Sequence, residues 1–236
     1  MSLSTSKIEQ LFNDGYLREQ FEEGDYEDAI AALPDASLEF LLEICRRVGV
    51  TSVFEFGSGR STKALLRAGV SVASLEDSDY WMQKSLTECG PDLLARHRSF
   101  VRPLRCRSLG LFPVMDWDVR GDVEDALLTA DLVLVDSPYF TPHRESTLWS
   151  SLQRCPQALV VLDDTRIPTL QRFSQRLASA NPDMLHQQVK VGHGFGLFSS
   201  CNCRRLQLGH SFKDVLSGWR RYFLGRSFYA SLCQPT

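Results

Sequence analysis

Short apolar runs alternate with amphipathic stretches along most of the chain. Apolar runs of four to seven residues that are rich in β-branched side chains predict β-strands. The strand candidates are Ser52–Phe56, Ser71–Leu75, Phe100–Cys106, Leu132–Asp136 and Leu159–Leu162. The helical segments between and after them begin near Ser61, Asp79, Val123 and Glu145, with one more after Pro168. This alternation predicts a parallel sheet covered by helices on both faces.

The pattern changes after the last of these helices. Gln187–Val191 and Phe195–Ser199 are strand-like runs on either side of Gly192-His193-Gly194. Two such runs around a glycine-rich turn predict an antiparallel hairpin at the edge of the sheet. The predicted fold class is therefore α/β: a doubly wound, mostly parallel sheet with an antiparallel C-terminal hairpin, arranged in three layers, α/β/α.

Residues 1–50 predict a helical N-terminal extension. Ile8 and Leu11 recur at helical spacing, Ser37 is a candidate N-cap for the next helix, and Gly49 predicts its end. The extension carries four basic and eleven acidic side chains, a net charge of −7.

Residues 204–236 form a basic, aromatic tail behind the α/β domain of residues 51–203. The tail carries six basic side chains and one acidic side chain, and it predicts one more amphipathic helix. Opposite charges favour packing of this tail on the acidic N-terminal helices, either in the same chain or in a homodimer mate.

Composition excludes several classes of protein. Of 236 residues, 43% are hydrophobic and 23% charged, which is typical of a globular chain and not of a disordered one. A net charge of −3 gives no overall reason to expect nucleic acid or an anionic membrane as partner. The longest apolar runs are too short to span a bilayer, and the first residues lack a secretory signal pattern. Seven cysteines without regular spacing predict reduced thiols and a cytoplasmic location.

The first group of candidate binding residues follows the first predicted strand. This strand runs into Gly57-Ser58-Gly59, where Gly57 permits a tight turn and Gly59 lets the backbone approach a ligand without a Cβ between them. Glycines also form ordinary strand-to-helix turns, so the loop alone leaves both interpretations open. Glu55 favours a binding site, because an unpaired carboxylate at the end of a buried strand is costly.

Neighbouring residues distinguish two nucleotide cofactors. Glu76 and Asp77 end the second strand about 20 residues after the glycines, where an acid can bind ribose hydroxyls. A nicotinamide-binding motif needs a third glycine where this chain has Thr62, and Glu55 would place negative charge near its pyrophosphate. An acid two residues before the first glycine instead suits a ligand with a positive ammonium or sulfonium.

This pattern resembles motif I of the class I S-adenosylmethionine-dependent methyltransferases. The resemblance covers residues 45–200, hairpin included, and implies a Rossmann-like fold with S-adenosylmethionine as cofactor. In that family the adenine contacts follow the third strand, where this chain has Ser108 and no acid. The cofactor-binding residues that the resemblance implies are Glu55, Gly57, Ser58, Gly59, Ser61, Glu76, Asp77, Ser108 and Asp136.

A second group of acids follows two later strands. Asp136 ends one strand, and Asp163 and Asp164 follow the next. Parallel strands place such residues at one edge of the sheet, where open α/β sheets bind ligands. Three carboxylates repel one another unless they are protonated or bound to a cation, and oxygen ligands suit Mg²⁺ or Mn²⁺. Alternatively, these acids only end strands and cap a helix.

The same acids are similar to those of metal-assisted O-methyltransferases, in which a divalent ion binds the acceptor hydroxyl and lowers its pKa. The pair Asp163-Asp164 departs from the Asp-Asn pair of the catechol-type members. The spacing of Asp136, Arg144, Asp163 and Arg166 is also similar to that of polysaccharide methyltransferases, which implies a sugar-like acceptor.

Three more residues near this edge are catalytic candidates beside Asp136. His143 follows a proline-punctuated loop and is either an acceptor for the hydroxyl proton or a surface histidine without a role. Arg144 and Arg166 either bind an acidic acceptor through paired hydrogen bonds or pair with the aspartates.

The sequence thus supports one functional hypothesis and two alternatives. The hypothesis is an S-adenosylmethionine-dependent methyltransferase that methylates an oxygen of a small-molecule or saccharide acceptor, with or without Mg²⁺ or Mn²⁺. The alternatives are a nicotinamide-linked oxidoreductase and a non-catalytic binding module on a methyltransferase-like fold.

Overall fold

A computed structural model describes residues 5–20, 33–87, 89–109, 112–138 and 141–199. The helices within these ranges are α1 (Thr5–Asn13), α2 (Tyr16–Glu19), α3 (Asp35–Val48), α4 (Arg60–Arg67), α5 (Asp79–Leu86), α6 (Pro91–Leu94), α7 (Asp122–Leu128), α8 (Thr141–Arg154) and α9 (Pro168–Ala180). The strands are β1 (Ser52–Phe56), β2 (Ser71–Glu76), β3 (His97–Val101), β4 (Arg105–Leu109), β5 (Phe112–Asp116), β6 (Leu132–Val135), β7 (Leu159–Leu162), β8 (Leu185–Val189) and β9 (Phe195–Ser199).

Some predictions concern residues beyond these ranges. The predicted helix of the basic tail lies outside the described residues, so the tail's packing and the homodimer stay predictions. None of the helices in the described ranges combines the length and apolar composition needed to cross a bilayer.

Seven of the strands form one sheet in the order β3-β2-β1-β6-β7-β9-β8. The strands β3, β2, β1, β6 and β7 run parallel to one another, whereas β9 runs antiparallel to both β7 and β8. The helices that connect the parallel strands lie on both faces, since a parallel crossover must pass over the sheet. The predicted doubly wound, mostly parallel sheet and its C-terminal hairpin are confirmed.

Side-chain alternation in β1 shows how the sheet separates two core layers. Val53 packs in a cluster with α3 and α4, and Phe54 and Phe56 pack in a second cluster with α7, α8 and α9. Because alternate residues of a strand point to the same face, Glu55 lies on the α4 side together with Val53. This places the only acidic side chain of β1 directly under the start of α4.

The N-terminal helices α1 and α3 contribute to the first of these core layers. Gly49 ends α3 as predicted, with φ of 79° and its N–H bonded to the Cys45 carbonyl. The predicted N-cap is wrong, because α3 begins at Asp35 and Ser37 lies buried within its first turn. The Ser37 hydroxyl instead accepts the backbone N–H of His193 at 3.4 Å, which connects α3 to the hairpin.

The predicted third strand, Phe100–Cys106, is also wrong. The third parallel strand is β3, which ends at Val101, whereas β4 pairs antiparallel with β5 in a separate two-stranded sheet. Pro103 lies between β3 and β4, and proline has no N–H with which to continue a strand ladder. One apolar run therefore contains the end of one strand and the beginning of another.

Candidate functional site

The carboxyl ends of β1 and β6 meet where the strand order reverses. Open α/β sheets bind their ligands at this position, because the loops leave the two strands in opposite directions. Gly57 follows β1 with φ of 100°, and a Cβ there would lie 3.1 Å from the Cβ of Ser137, which follows β6. Both the backbone angle and this close approach require glycine. The structure thus brings the glycine loop beside Asp136.

Glu55 lies beneath the glycine loop with only 1% of its surface exposed. Its carboxylate accepts hydrogen bonds from Ser61 Oγ at 2.9 Å, from Ser74 Oγ at 2.6 Å and from Thr62 Oγ1. Burial raises the pKa of Glu55 to about 7, although the three hydroxyl groups act in the opposite direction. Both oxygens therefore have protein partners, and Glu55 connects β1 to the start of α4 and to β2.

Glu76 ends β2 on the other side of the loop and is 7% exposed. Its Oε1 accepts the Ser58 backbone N–H at 2.6 Å and the Ser58 hydroxyl at 3.0 Å. Burial raises the pKa of Glu76 to about 7, against the effect of these two bonds, and burial also raises the pKa of Asp77. The structure therefore joins two predicted cofactor residues, Ser58 and Glu76, and adds Asp77 beside them.

Gly59 has different surroundings from Gly57. Its φ of 174° is extended backbone that any residue adopts, and no described atom lies within 4 Å of the place that a Cβ would occupy. Internal packing therefore does not require glycine at this position. The open space over Gly59 leaves room for the close approach of a cofactor, so the loop fits the S-adenosylmethionine that the resemblance implies.

Asp136 and Asp163 form a pair at the ends of β6 and β7. Asp163 is 1% exposed, whereas the Asp136 side chain is 36% exposed. Burial raises the pKa of Asp136, although the Arg144 charge acts in the opposite direction. Burial, followed by the charges of Asp136 and Asp164, raises the pKa of Asp163 well above its ordinary value. Since burial and the neighbouring charges act more strongly on Asp163, we place the proton of the pair on Asp163 and treat the partly exposed Asp136 as its ionised member.

Asp164 is held between Arg144 and His193. Arg144 Nη1 donates to Asp164 Oδ2 at 2.6 Å, and His193 Nδ1 lies 3.3 Å from Asp164 Oδ1. Burial acts to raise the pKa of Asp164, but the His193 hydrogen bond and the Arg144 charge outweigh it and lower the pKa. Of the two alternatives for Arg144, the structure has the pairing with aspartates, so the guanidinium is not free to bind an acidic acceptor.

The predicted metal ligands Asp136, Asp163 and Asp164 do not present the expected oxygen cage. The Arg144 guanidinium lies among them, 2.6 Å from Asp164 Oδ2 and 3.6 Å from Asp136 Oδ1. In the part of the chain that the structure describes, the residues whose donor atoms lie within 4.8 Å of one another are Asp163, Asp164 and His193. Asp136 is outside this set, so the structure brings two of the three predicted ligands together, with His193 as the third donor.

His143 is not the surface histidine that the sequence indicated. It lies in α8 with no exposed surface, and its Nδ1 accepts the Met115 backbone N–H at 3.0 Å. Burial lowers the pKa of His143 to about 4, so the ring is neutral. The expectation of a surface loop is therefore wrong, and His143 has no exposed atom with which to reach an acceptor.

Arg166 contacts the hairpin, and Ser108 lies in the separate two-stranded sheet. The half-buried Arg166 donates from Nη1 to the Gly192 carbonyl at 3.0 Å, so it binds the hairpin. Ser108 lies inside β4, opposite Pro113 of β5. Because β3 ends at Val101, Ser108 does not occupy the place after the third strand that the resemblance implies for an adenine contact.

The sequence prediction missed several side chains of this region. His193 comes from the hairpin turn, and Ser74 lies inside β2, where its hydroxyl is also 2.8 Å from His97 Nε2. Tyr80 and Trp81 follow the acids at the end of β2 and expose 66% and 41% of their surfaces. A serine within an apolar strand and two aromatic residues three and four positions after the last strand-end acid are signals that the sequence contained.

Comparison with known proteins supports the fold. No protein-family model matches the chain, and no curated protein matches it. One similar solved structure is an O-methyltransferase from Bacillus cereus in complex with S-adenosylhomocysteine, 16% identical, covering 84% of this chain and 92% of that chain with a TM-score of 0.52. A candidate caffeoyl-CoA O-methyltransferase from Staphylococcus aureus is 13% identical, with coverages of 84% and 93% and a TM-score of 0.52.

A candidate O-methyltransferase from Klebsiella pneumoniae is similar as well, at 16% identity, coverages of 84% and 90% and a TM-score of 0.50. Identities this low concern the fold alone. The chain therefore has the Rossmann-like fold of the class I methyltransferases, as its resemblance to that family implied.

Proposed function

We propose that this protein is an S-adenosylmethionine-dependent methyltransferase that acts on an oxygen of a small-molecule or sugar-like acceptor. The observation that supports this most is the open space over Gly59, at the point where the strand order of a methyltransferase fold reverses. Two acidic groups, Glu76 and Asp136, lie on either side of this point. When bound, S-adenosylmethionine supplies a methyl group on a positively charged sulfur, which this negative surrounding suits.

The residues of the loop divide into two roles under this proposal. Glu55 and Ser61 hold the loop against α4 from below, while Gly59 provides the surface on which the cofactor lies. Glu76 keeps the Ser58 N–H in place, and Asp77 beside it is available for the ribose hydroxyls.

Asp136 is the residue that we assign to the acceptor. Its side chain is 36% exposed, whereas that of the neighbouring Asp163 is buried. Asp136 accepts the proton that the acceptor hydroxyl loses as its oxygen bonds the methyl carbon and the bond from that carbon to sulfur breaks. Most of the acceleration comes from holding the acceptor oxygen in line with the methyl group.

The nicotinamide alternative is less compatible with the loop. The Gly59 N–H is already bonded to Thr62 Oγ1 at 2.9 Å, so the backbone donor that a pyrophosphate would use is occupied. The non-catalytic alternative predicts cofactor binding without turnover, and an assay distinguishes it.

Calorimetric titration with S-adenosylhomocysteine tests the proposal. We expect micromolar binding by the wild type and weaker binding by Glu76→Gln, which can still accept the Ser58 N–H but has no charge. Glu39→Gln, at an exposed site on α3, is the matched control and should bind like the wild type. Absence of binding by the wild type would contradict the proposal, and binding of NADH in its place would support the oxidoreductase.

Methyl transfer to a panel of hydroxylated acceptors is the second test. Asp136→Asn should retain the affinity for S-adenosylhomocysteine and lose turnover, because an amide cannot accept the hydroxyl proton. Cofactor binding without turnover by the wild type on every acceptor would favour the non-catalytic module.

A further inference from the structure

Arg144 enters the aspartate cluster from α8 and uses every nitrogen of its guanidinium there. Nε donates to the Pro138 carbonyl at 3.2 Å, Nη1 donates to Asp164 Oδ2 at 2.6 Å, and Nη2 donates to the Asp136 carbonyl. The side chain is 4% exposed. One cation thus joins the ends of β6 and β7 and leaves none of its nitrogens unused.

The residues around the Arg144 guanidinium also resemble an incomplete metal site. The donor atoms of Asp163, Asp164 and His193 lie within 4.8 Å of one another. However, Asp164 has Arg144 on Oδ2 and His193 on Oδ1, so a metal ion would have to displace both. Asp163 Oδ1 is buried and has no hydrogen-bond partner among the described residues. This oxygen could therefore bind a metal ion without losing a hydrogen bond.

A guanidinium and a divalent ion are alternative ways to neutralise buried carboxylates. Buried charges persist only when they are paired and hydrogen-bonded, and the planar fork of arginine binds carboxylates at fixed angles. Arg144 meets this requirement for Asp164 and lies 3.6 Å from Asp136 Oδ1. The positive charge beside these carboxylates therefore comes from a side chain of the protein and needs no bound ion.

We propose that Arg144 is the resident cation of this cluster. The native protein then binds no divalent metal at Asp136, Asp163 and Asp164, and removal of the guanidinium converts Asp163, Asp164 and His193 into a divalent-metal site. The consequence for catalysis rests on the proposed function: methyl transfer is unchanged by a chelator, because Asp136 receives the hydroxyl proton without a metal beside it.

Titration with Mn²⁺, followed by the loss of the free-ion electron paramagnetic resonance signal, tests this inference on the full chain. We expect no site tighter than millimolar in the wild type. Arg144→Gln should bind Mn²⁺ at least about tenfold more tightly, a change of about 1.4 kcal/mol, and Mn²⁺ should raise its melting temperature. Arg144→Lys keeps the charge and should not gain the site.

Arg154→Gln is the matched control, because Arg154 lies on the same helix but pairs with Glu124. It should bind Mn²⁺ like the wild type. Micromolar Mn²⁺ binding by the wild type that Asp163→Asn abolishes would overturn the inference, and so would a folded Arg144→Gln that gains no affinity. If Arg144→Gln does not fold, the Mn²⁺ titration of the wild type tests the inference by itself, and micromolar binding would overturn it.

The same samples are titrated with S-adenosylhomocysteine, so that the two proposals fail separately. If the proposed function is wrong, the wild type will not bind S-adenosylhomocysteine, and the manganese result will be unaffected. If the inference about Arg144 is wrong, the wild type will bind Mn²⁺ tightly and will still bind S-adenosylhomocysteine.

Discussion

Gly59 is the residue at which cofactor binding and folding can be separated. Alanine there meets no described atom within 4 Å, and the φ of 174° lies outside the left-handed region. We expect Gly59→Ala to fold with an unchanged melting temperature and to lose affinity for S-adenosylhomocysteine by about tenfold or more, about 1.4 kcal/mol. Calorimetry and thermal unfolding measure the two effects.

Gly90 provides the control for this substitution. A Cβ at Gly90 also meets no described atom, and the residue precedes α6 away from the glycine loop. Gly90→Ala should change neither stability nor affinity. Equal affinities of Gly59→Ala and the wild type would show that the cofactor does not lie against this backbone.

Glu55 makes stability depend on pH at the residue scale. Its pKa is raised from 4.5 to about 7, so between these values the folded chain holds a proton that the unfolded chain has lost. The resulting stabilisation is complete below about pH 4.5 and is lost as the pH rises through about 7. Glu55→Gln is neutral at every pH, so its free energy of unfolding should fall less steeply over this range.

Urea unfolding at intervals between pH 5 and 8 measures that slope. Glu76, whose pKa is also raised to about 7, keeps part of the slope in the variant. Glu39→Gln, which changes an exposed residue, should show the same slope as the wild type. Parallel curves for Glu55→Gln and the wild type would mean that Glu55 is charged throughout.

At the scale of elements, the N-terminal end of α3 packs so closely on the hairpin turn that Gly192 has no room for a Cβ. Gly192 has φ of 53°, and a Cβ there would lie 2.2 Å from Ser37 Oγ and 2.8 Å from Pro34 Cγ. Gly192→Ala should lose about 1–2 kcal/mol for its backbone angle and about 1–3 kcal/mol more for the clash. Equilibrium urea unfolding gives both free energies.

Gly69→Ala separates these two contributions. Gly69 has φ of 89°, but no described atom lies near its missing Cβ, so this variant should lose only the part due to the backbone. Equal losses in Gly69→Ala and Gly192→Ala would show that α3 is not seated on the hairpin. A larger loss at Gly192 would show that Ser37 and Pro34 pack against the hairpin turn in solution.

At the scale of the whole molecule, cofactor binding should stabilise the fold because the site exists only when β1, β2 and β6 are assembled. A ligand at 100 times its Kd adds about 2.7 kcal/mol to the free energy of unfolding, which for a chain of this size raises the melting temperature by about 5–10 °C. We expect this shift with S-adenosylhomocysteine and none with NADH at the same concentration. A shift with NADH alone would favour the oxidoreductase.

Much of the site could be predicted because its residues occupy regular places in the elements. Glycines after β1 and acids after β2, β6 and β7 meet at one edge of any parallel sheet, whatever the details of packing. The errors arose where this regularity stops. Pro103 divides one apolar run between two sheets, and His143, which follows two prolines, is buried in the first turn of α8 instead of lying in a loop.

The sequence by itself determined the alternation of strands and helices, the glycine turn and the edge at which the acids collect, because these depend on residues close together along the chain. Only the tertiary structure decided what each acid does. Hydroxyl groups from α4 and β2 enclose Glu55, Arg144 reaches Asp164 from 20 residues away, and Ser37 meets His193 across 156 residues. Such contacts join distant segments, and the charge, burial and partner of each group follow from packing that no local pattern records.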